Sequence, residues 1–290
     1  MRMRLIGLAL ALGAALLHTS LAQAACPDAA TVDTFIADRA AARPAMPPIA
    51  AGSSLDDGLC AQAMVVERLS KDLGPVVGYK AGLTSPPAQQ AFGVDEPVFG
   101  TLLRDMLLKP GASVRAADAV RSLFEADLIV EIGDAAVNDA TTPAEVLAAI
   151  RGVRPFLELP ALVAPLDIQL DGPMITAINV GAWRGVMGDL IALPADETGV
   201  AMLADFTARL TDETTGETIS AAPGKAVLGH PLNAVIWIAG VLKAQGKALK
   251  PGDLVSVGSI GPLNPMKPGQ KIRLTYEGLP GTPGVSAAFE

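Results

Sequence analysis

The first third of the chain carries apolar residues at the three- and four-residue spacing of amphipathic helices. This spacing predicts one helix over 28–42 and a second over 55–73. The segment 43–53 between them is rich in proline and ends the first helix. We therefore expect residues 26–74 to form a helical cap at the N-terminal side of the protein.

From Pro75 onward the pattern changes to short apolar runs separated by glycine and proline, which is typical of β-strands. The predicted strands cover 75–82, 98–103, 123–132, 153–159, 174–193, 200–213, 253–258, 270–277 and 284–289. A further helix is predicted over 232–243, because His230 and Pro231 form a helix start before it. The sequence thus predicts an α+β fold whose body, residues 75–290, is rich in strands.

The predicted strand 123–132 has apolar residues at every even position. Glu125, Asp127 and Glu131 occupy odd positions and therefore share the opposite face. The simplest interpretation is a half-exposed strand with an acidic face in solvent. Three like charges on one face repel each other, however, so a cation near this face is the alternative.

Glu158 lies between apolar residues in the sequence Phe-Leu-Glu-Leu, where an unpaired charge is costly to bury. A pair with Arg154 would neutralise it, and so would a metal ion. Mg²⁺ prefers oxygen ligands and retains several waters, and Mn²⁺ can substitute for it. Glu125, Asp127 and Glu158 are therefore candidate ligands of one divalent ion.

Lys80 lies on the strand face that also carries Gly78 and Gly82. Glycine neighbours would leave room for a ligand, whereas a solvated lysine at a sheet edge is the simpler interpretation. Three carboxylates and one divalent ion sum to −1, so an anionic substrate needs another positive group nearby. Lys80 is the candidate for that group.

Three further polar residues are weaker candidates. Asn179, within a predicted apolar strand, is either a ligand-facing amide or a satisfied core side chain. Ser259 follows a strand in Gly-Ser-Ile-Gly-Pro, which could offer a hydroxyl and backbone N–H groups to a carboxylate or be only a turn. The position of His230 at a helix start favours a structural role over that of a base. The sequence also contains no GxSxG motif, which a serine hydrolase would carry.

The N-terminus has the pattern of a secretory signal. Arg2 and Arg4 precede an apolar run over 5–17 and a small-residue cleavage pattern at 22–24. The apolar run is too short to cross a bilayer. Cleavage would remove about residues 1–25, which predicts a periplasmic or secreted protein without a membrane anchor.

The two cysteines fit this localisation. In an oxidising compartment Cys26 and Cys60 are most simply a disulfide, and two reduced thiols are the alternative. Removal of two arginines with the signal would change the formal net charge from −8 to −10. Such a charge disfavours nucleic acids and anionic lipids as partners.

The order of several motifs resembles that of one known family. The motifs are GYKAGLTS, GVDEPVFGTLL, FEAD, FLEL, AINVGAW, VLGHPLNAVIWIAGVLKAQG, KPGDLVSVGSIGP and GVSAAF. In sequence and order they resemble the bacterial 2-keto-4-pentenoate hydratases and their sister 2-oxo-acid decarboxylases, in the fumarylacetoacetate hydrolase superfamily. The resemblance runs from about Val76 to Phe289 and implies a fumarylacetoacetate-hydrolase-like body.

The resemblance also implies roles for six residues. Glu125, Asp127 and Glu158 would be ligands of Mg²⁺ or Mn²⁺, Lys80 the active-site lysine, and Asn179 and Ser259 neighbours of the substrate. The implied substrate is a small 2-oxo acid, and members of the family often form homo-oligomers.

Two residues depart from the family pattern. Asp127 is one methylene shorter than the glutamate usually found there. Hydratases commonly carry an acidic residue where this chain has Val98, while the decarboxylases tend to be apolar at that position. The leading expectation is an exported, metal-dependent lyase that hydrates a 2-hydroxy-dienoate or 2-oxo-enoate. The alternatives are a 2-oxo-dicarboxylate decarboxylase and a non-catalytic periplasmic ligand-binding protein.

Overall fold

The structure, a computed structural model, describes residues 25–290. The predicted signal sequence therefore lies outside the described residues, apart from Ala25. Seven α-helices occur in the described part: α1 Ala29–Ala40, α2 Leu55–Leu73, α3 Pro86–Ala91, α4 Pro143–Ala148, α5 Gly172–Ala177, α6 Glu197–Asp205 and α7 Pro231–Ala244. No helix in 25–290 combines the length and apolar character needed to cross a bilayer.

Thirteen strands occur in the same part of the chain. They are β1 Val76–Gly82, β2 Val98–Leu103, β3 Leu107–Leu108, β4 Ala112–Val114, β5 Leu123–Ile132, β6 Ile150–Leu159, β7 Arg184–Met187, β8 Thr207–Asp212, β9 Glu217–Pro223, β10 Leu254–Ser256, β11 Asn264–Pro265, β12 Lys271–Glu277 and β13 Gly284–Phe289. The α+β class with a strand-rich body is confirmed.

Eight strands form the larger sheet, in the order β2-β1-β10-β5-β6-β7-β3, with β11 paired to β5 off this path. The β1–β10 and β3–β7 pairs are parallel, and the other neighbours are antiparallel. This order places Lys80 beside Ser256 and sets Glu125 directly opposite Glu158. The candidate site residues thus come from adjacent strands at the middle of one sheet.

The second sheet has five strands in the order β4-β13-β12-β8-β9. Phe124 and Leu128, from the even face of β5, share one hydrophobic cluster with Leu274 and Tyr276 of this sheet and with residues of α7. Burial of such side chains stabilises the fold by about 25 cal/mol per Å² of apolar surface. The even face of β5 is therefore a core face, as its alternation predicts.

The odd face of β5 is also buried, so the simple expectation of an acidic face in solvent is wrong. Its acidic side chains are nearly inaccessible: Glu125 is 4% exposed, Asp127 0% and Glu131 7%. Glu131 is neutralised by Arg151 at 3.1 Å and by Arg154 at 2.7 Å. Arg154 is therefore the partner of Glu131 and not of Glu158.

The two N-terminal helices form where their spacing predicts them. The Asp28 side chain caps α1, and Ser54 with Asp57 forms a capping box at the start of α2. Both helices pack in a second hydrophobic cluster, which contains Val65 of α2 and Met174 of α5. They are thereby joined to the body through α5 and the edge strand β2.

Two predicted strands are wrong over part of their length. The segment 174–193 contains the end of α5 and a 3₁₀ turn, Asn179–Gly181, before it reaches β7. The segment 200–213 begins inside α6. An aspartate caps each helix: Asp171 accepts the N–H of the third helical residue, and Asp196 accepts two N–H groups of the first turn. Asn179 therefore lies in a turn and not in a strand.

Cys26 and Cys60 form a disulfide, with their Cα atoms 5.4 Å apart. It ties the chain before α1 to the first half of α2 across a sequence separation of 34 residues. By the loop-entropy model, Cys60→Ser should lower the free energy of unfolding by about 3 kcal/mol. Urea denaturation measures this loss. The wild-type protein in a reducing buffer is the control and should match the variant, whereas equal stability of the variant and the oxidised wild type would contradict the prediction.

Candidate active site

Lys80 and Glu158 form a buried ion pair at the centre of the larger sheet. The Lys80 Nζ donates to Oε1 of Glu158 and also to the carbonyl of Val180, at 3.3 Å. The two side chains are 3% and 2% exposed. Burying either charge without the other would be costly, so each side chain stabilises the other in its buried position. The alternative of a solvated edge lysine is thereby wrong.

The glycines beside Lys80 make room for the protein's own chain, contrary to the expectation that they leave room for a ligand. A Cβ at Gly82 would lie 2.5 Å from Cγ1 of Val180, and one at Gly78 would meet the backbone of Leu254. Val180 belongs to the turn Asn179–Gly181, whose three residues all have left-handed φ angles of 58°, 52° and 63°. This close packing fixes the carbonyl that accepts from Lys80.

Asn179 supports that turn through its side chain. The amide oxygen accepts from the Thr101 N–H at 2.8 Å, and the amide nitrogen donates to the Thr101 carbonyl at 2.9 Å. Both polar groups are thus used on the backbone of β2, and the side chain is 0% exposed. In this structure Asn179 holds its turn against β2, and its amide lies buried away from solvent.

Ser259 lies in a backbone bulge that follows β10. The chain donates to β5 carbonyls on both sides of the bulge, from Val257 at 3.1 Å and from Ile260 at 2.7 Å. Gly258 has a φ of 103°, which disfavours other residues. The bulge aims the Ser259 hydroxyl at Glu125, to which it donates a hydrogen bond. Ser259 therefore lies beside Glu125, and its contact with a substrate stays a prediction.

Asp127 is held by the same bulge and strand. Its Oδ1 accepts from the Gly258 N–H at 3.0 Å, and its Oδ2 accepts from the Ser256 hydroxyl. These contacts hold the short carboxylate close to the sheet. Among residues 25–290, no three acidic, histidine or cysteine side chains converge into a closed metal-ligand set in this conformation. The sheet brings Glu125, Asp127 and Glu158 close together, but in this conformation their carboxylates do not converge as the ligands of one ion.

The cluster disfavours three ionised carboxylates beside one ammonium. Burial raises the pKa of Glu125 well above its usual range, and the facing Glu158 carboxylate raises it further. Burial, followed by Glu158, raises the pKa of Asp127 to about 7. Burial alone would lower the pKa of Lys80, but Glu158 and the other two carboxylates raise it above the ordinary value. One ammonium therefore faces three carboxyl groups.

A divalent ion fits this donor set. Oε2 of Glu158 is buried and has no N–H or alcohol O–H partner in the described part of the chain, while the Glu125 carboxyl lies within hydrogen-bonding reach of Glu158. An orphaned carboxylate oxygen is costly in such an environment and requires a cation or a proton. Hard divalent ions such as Mg²⁺ bind carboxylate oxygens of this kind. The unmet oxygen and the crowding of three carboxyl groups around one ammonium both favour a metal at this position.

The family model described as "Fumarylacetoacetate (FAA) hydrolase C-terminal" matches residues 79–282. The chain belongs to the fumarylacetoacetate hydrolase family. Its relatives include the 2-keto-4-pentenoate hydratase 2 of Dechloromonas aromatica (strain RCB), 32% identical over 215 residues, which are 74% of this chain and 78% of the relative. The 2-keto-4-pentenoate hydratase of Paraburkholderia xenovorans (strain LB400) is 30% identical over 227 residues, 78% and 81% of the two chains.

A solved structure shows the same fold. The 4-oxalocrotonate decarboxylase from Pseudomonas putida G7, complexed with magnesium and adipate, superposes with a TM-score of 0.77 at 24% identity. The match covers 90% of this chain and 96% of the decarboxylase. The fumarylacetoacetate-hydrolase-like body predicted from the motifs is therefore confirmed.

In this fumarylacetoacetate hydrolase family chain the carboxylate cluster is closed to solvent. Three cavities found among residues 25–290 lie elsewhere, and none of these three is lined by Lys80 or by the three carboxylates. Gly82, Leu83 and Ser259 are the partly exposed residues next to the cluster. The bulge and the end of β1 are therefore the parts of the site that come nearest to solvent.

Sequence reasoning missed three supports of this candidate site: Val180, Ser256 and Tyr276. Ser256 had a usable signal, since it is a polar residue within an otherwise apolar strand. The other two had none, because Val180 acts through its backbone carbonyl and Tyr276 reaches the site from the second sheet.

Tyr276 reaches the site from the second sheet. Its hydroxyl donates to the carbonyl of Asp127 and accepts from the N–H of Phe156 at 3.1 Å, so it bridges β5 and β6 behind the cluster. Tyr276→Phe should lower the free energy of unfolding by about 2 kcal/mol, because two buried backbone groups lose their partner. Thermal or urea unfolding measures this loss. Tyr79→Phe is the matched control, since Tyr79 is partly buried and its hydroxyl forms no hydrogen bond within 25–290. An equal loss of stability in both variants would contradict the bridging role of Tyr276.

His230 is structural, as its position in the sequence favours. Its Nδ1 accepts from the N–H of Leu232 at 3.1 Å and thereby caps α7. Its Nε2 lies 3.0 Å from the Val200 carbonyl, which assigns the proton to that nitrogen. Both ring nitrogens are therefore occupied, and burial lowers the pKa of His230.

Proposed function

We propose that this chain is an exported, divalent-metal-dependent lyase that hydrates a small 2-hydroxy-dienoate or 2-oxo-enoate. The observation that carries the proposal is the buried cluster of Lys80 with Glu125, Asp127 and Glu158. The relatives of this chain include proteins named 2-keto-4-pentenoate hydratase, and the match covers most of their length. Buried carboxyl groups with strongly shifted pKa values beside a lysine are typical of catalytic sites.

Glu125, Asp127 and Glu158 would hold one Mg²⁺ or Mn²⁺ ion. The unmet Oε2 of Glu158 supports this assignment, as does the crowding of three carboxyl groups around one ammonium. When bound, the ion would supply Lewis-acid stabilisation of the negative charge that develops on the substrate. Asp127 has the shortest side chain of the three ligands, and hydrogen bonds from Ser256 and Gly258 hold its carboxylate in place.

The protein's own donors would hold the substrate carboxylate. Ser259 is partly exposed, and within the described residues the backbone N–H groups of Ser259 and Gly261 have no acceptor. The N–H groups of Gly258 and Ile260 are already used on β5. The bulge therefore leaves two backbone N–H donors without an acceptor, an arrangement suited to an anion.

Hydration of a 2-hydroxy-2,4-dienoate requires balanced proton movements. The C2 hydroxyl loses a proton and C5 gains one, which gives the conjugated ketone. The oxygen of water then bonds to C4, and C3 takes a proton. The Lys80–Glu158 pair can hold and return a proton at this place, and such a group typically contributes 10²–10⁴-fold to the rate. The closed surroundings limit competing water.

A second candidate activity is decarboxylation of a 2-oxo-dicarboxylate. It is favoured by Val98, which is 4% exposed and packs in the same hydrophobic cluster as Val180. A carboxylate at that position would serve as a proton-transfer group in a hydratase, and here the position is apolar. Decarboxylation releases CO₂ and leaves the enolate to be protonated, so it does not require a group that activates water.

The activity test uses the purified protein without its first 25 residues, supplied with Mg²⁺ or Mn²⁺. Loss of the absorbance of 2-hydroxypenta-2,4-dienoate without CO₂ release is the expected result. CO₂ release from a 2-oxo-dicarboxylate, with the dienoate untouched, would instead establish the decarboxylase. If no divalent ion binds and Lys80→Ala leaves ligand affinity and turnover unchanged, the protein is a binder and the enzyme proposal fails.

Export and assembly are further parts of the proposal. The Cys26–Cys60 disulfide supports an oxidising compartment, and the N-terminal pattern supports secretion. Expression of the full chain followed by osmotic shock should release a shortened protein from the periplasm. Multi-angle light scattering should show a homo-oligomer. A full-length chain retained in the cytoplasm would refute export.

A further inference from the structure

A cavity of about 530 Å³ lies between the N-terminal helices and the body. Its walls come from the ends of α1 and α2 and from the segments 115–119, 161–163 and 183–184. None of the four residues of the carboxylate cluster lines it. The volume is within the range of cavities that bind small organic molecules.

Arg39 of α1 contributes an incompletely satisfied charge to this cavity. Its Nη2 donates to the carbonyl of Ala182 at 2.7 Å, while its Nη1 is buried without an acceptor. No carboxylate among residues 25–290 forms an ion pair with it. Arg39 is partly exposed as a whole residue, and burial of its guanidinium lowers its pKa to about 10. A buried guanidinium of this kind is stabilised by an anion.

Arg184 brings a second guanidinium to the cavity. It stacks on Trp183, with Cζ 5.3 Å from the ring centroid. It too has no ion-pair partner in the described part of the chain. Because arginine recognises carboxylates through a planar fork of N–H donors, two such groups in one cavity favour a carboxylate ligand.

The other charged residues of the cavity walls do not cancel the positive charge of Arg39 and Arg184. Arg115 pairs with Asp118 at 2.9 Å, and Asp105 pairs with Arg104 at 2.8 Å. Asp72 is the one wall carboxylate without an ion pair among the described residues. Two unpaired guanidiniums therefore face one unpaired carboxylate.

The remaining walls are apolar, with Ile36, Leu69 and Val163 beside the Trp183 ring. We propose that this cavity is a second ligand site, distinct from the carboxylate cluster, for a small organic carboxylate with an apolar body. The carboxylate would lie between Arg39 and Arg184, and the body would pack on Trp183 and the aliphatic wall. Neither the family relationship nor the proposed lyase activity requires this site.

Benzoate is the probe that tests the proposal, because it combines one carboxylate with one flat apolar ring. Trp183 and Trp237 are the two tryptophans of the chain, so in Trp237→Phe the fluorescence reports on Trp183 alone. Benzoate should change this fluorescence saturably at millimolar concentration. Benzyl alcohol lacks the charge and acetate lacks the ring, so each should bind at least about tenfold more weakly.

Variants then assign the site. Arg39→Gln and Arg184→Gln should each weaken benzoate binding about tenfold, because each removes one charge-assisted contact. Arg209→Gln, which breaks an exposed pair with Glu277, is the control for net charge and should leave the affinity within about twofold. Lys80→Met should also leave it unchanged, which separates this cavity from the carboxylate cluster.

Absence of saturable binding, equal affinity for benzyl alcohol or acetate, or unchanged benzoate affinity in both arginine variants would overturn the proposal. Circular dichroism checks the fold of each variant. If Arg39→Gln does not fold, because it loses the bond to Ala182, the partly exposed Arg184 decides the outcome alone.

Discussion

Lys80→Met should lower kcat/KM for dienoate hydration by roughly a thousandfold, the range expected for loss of a group that orients the substrate and transfers a proton. The methionine has a similar length, but it removes the ammonium that faces Glu158 and the Val180 carbonyl. Steady-state kinetics on the metal-loaded protein measure the change. Lys71→Met, an exposed lysine of α2, is the control and should leave kcat/KM within about twofold.

The same substitution should destabilise the fold by about 3 kcal/mol, because Glu158 is left buried and unpaired. The double variant Lys80→Met/Glu158→Gln removes both charges and should recover most of that stability without recovering turnover. This contrast separates loss of catalysis from loss of folding. A double variant that regains activity would show that Lys80 has no part in the chemistry.

Glu158→Gln should weaken Mg²⁺ and Mn²⁺ binding by about a hundredfold, since one of three anionic ligands becomes neutral. Isothermal titration of the purified protein with Mn²⁺ measures this change. Chelation with EDTA should abolish turnover of the wild type, and added Mg²⁺ or Mn²⁺ should restore it. Loss of metal affinity and loss of turnover should occur together.

Glu131→Gln is a closely matched control for the metal prediction. Glu131 lies on the same strand and the same face as Glu125 and Asp127, and it is equally buried, but its partners are Arg151 and Arg154. Its replacement should therefore leave Mn²⁺ affinity within about twofold. Equal weakening by both substitutions would mean that the metal responds to the charge of the strand and not to Glu158.

The alternation of β5 was sufficient to predict which residues share a face, because side chains of a strand alternate strictly. It could not show that the acidic face is buried. That depends on Lys80 arriving from β1 and on Arg151 and Arg154 arriving from β6, and such strand order is not encoded in any local pattern. The ordered motifs supplied the family, and the sheet then placed Lys80, Glu125 and Glu158 together.

The two strands that were predicted where helices occur have a different cause. Apolar runs over 174–193 and 200–213 look like strands, but Asp171 and Asp196 cap helices there and outweigh the apolar pattern. Asp171 is followed by Gly-Pro, a recognisable helix start. The error mattered for Asn179, whose left-handed turn and bonds to Thr101 make it a positioning residue. No local pattern predicts three consecutive left-handed residues.

Anomalous diffraction from crystals soaked in Mn²⁺ tests the central claim most directly. The cluster predicts one strong peak per chain between the carboxylates of Glu125, Asp127 and Glu158, with the Lys80 ammonium beside it. Full Mn²⁺ occupancy at another position, with this cluster empty and Oε2 of Glu158 still without a partner, would contradict it.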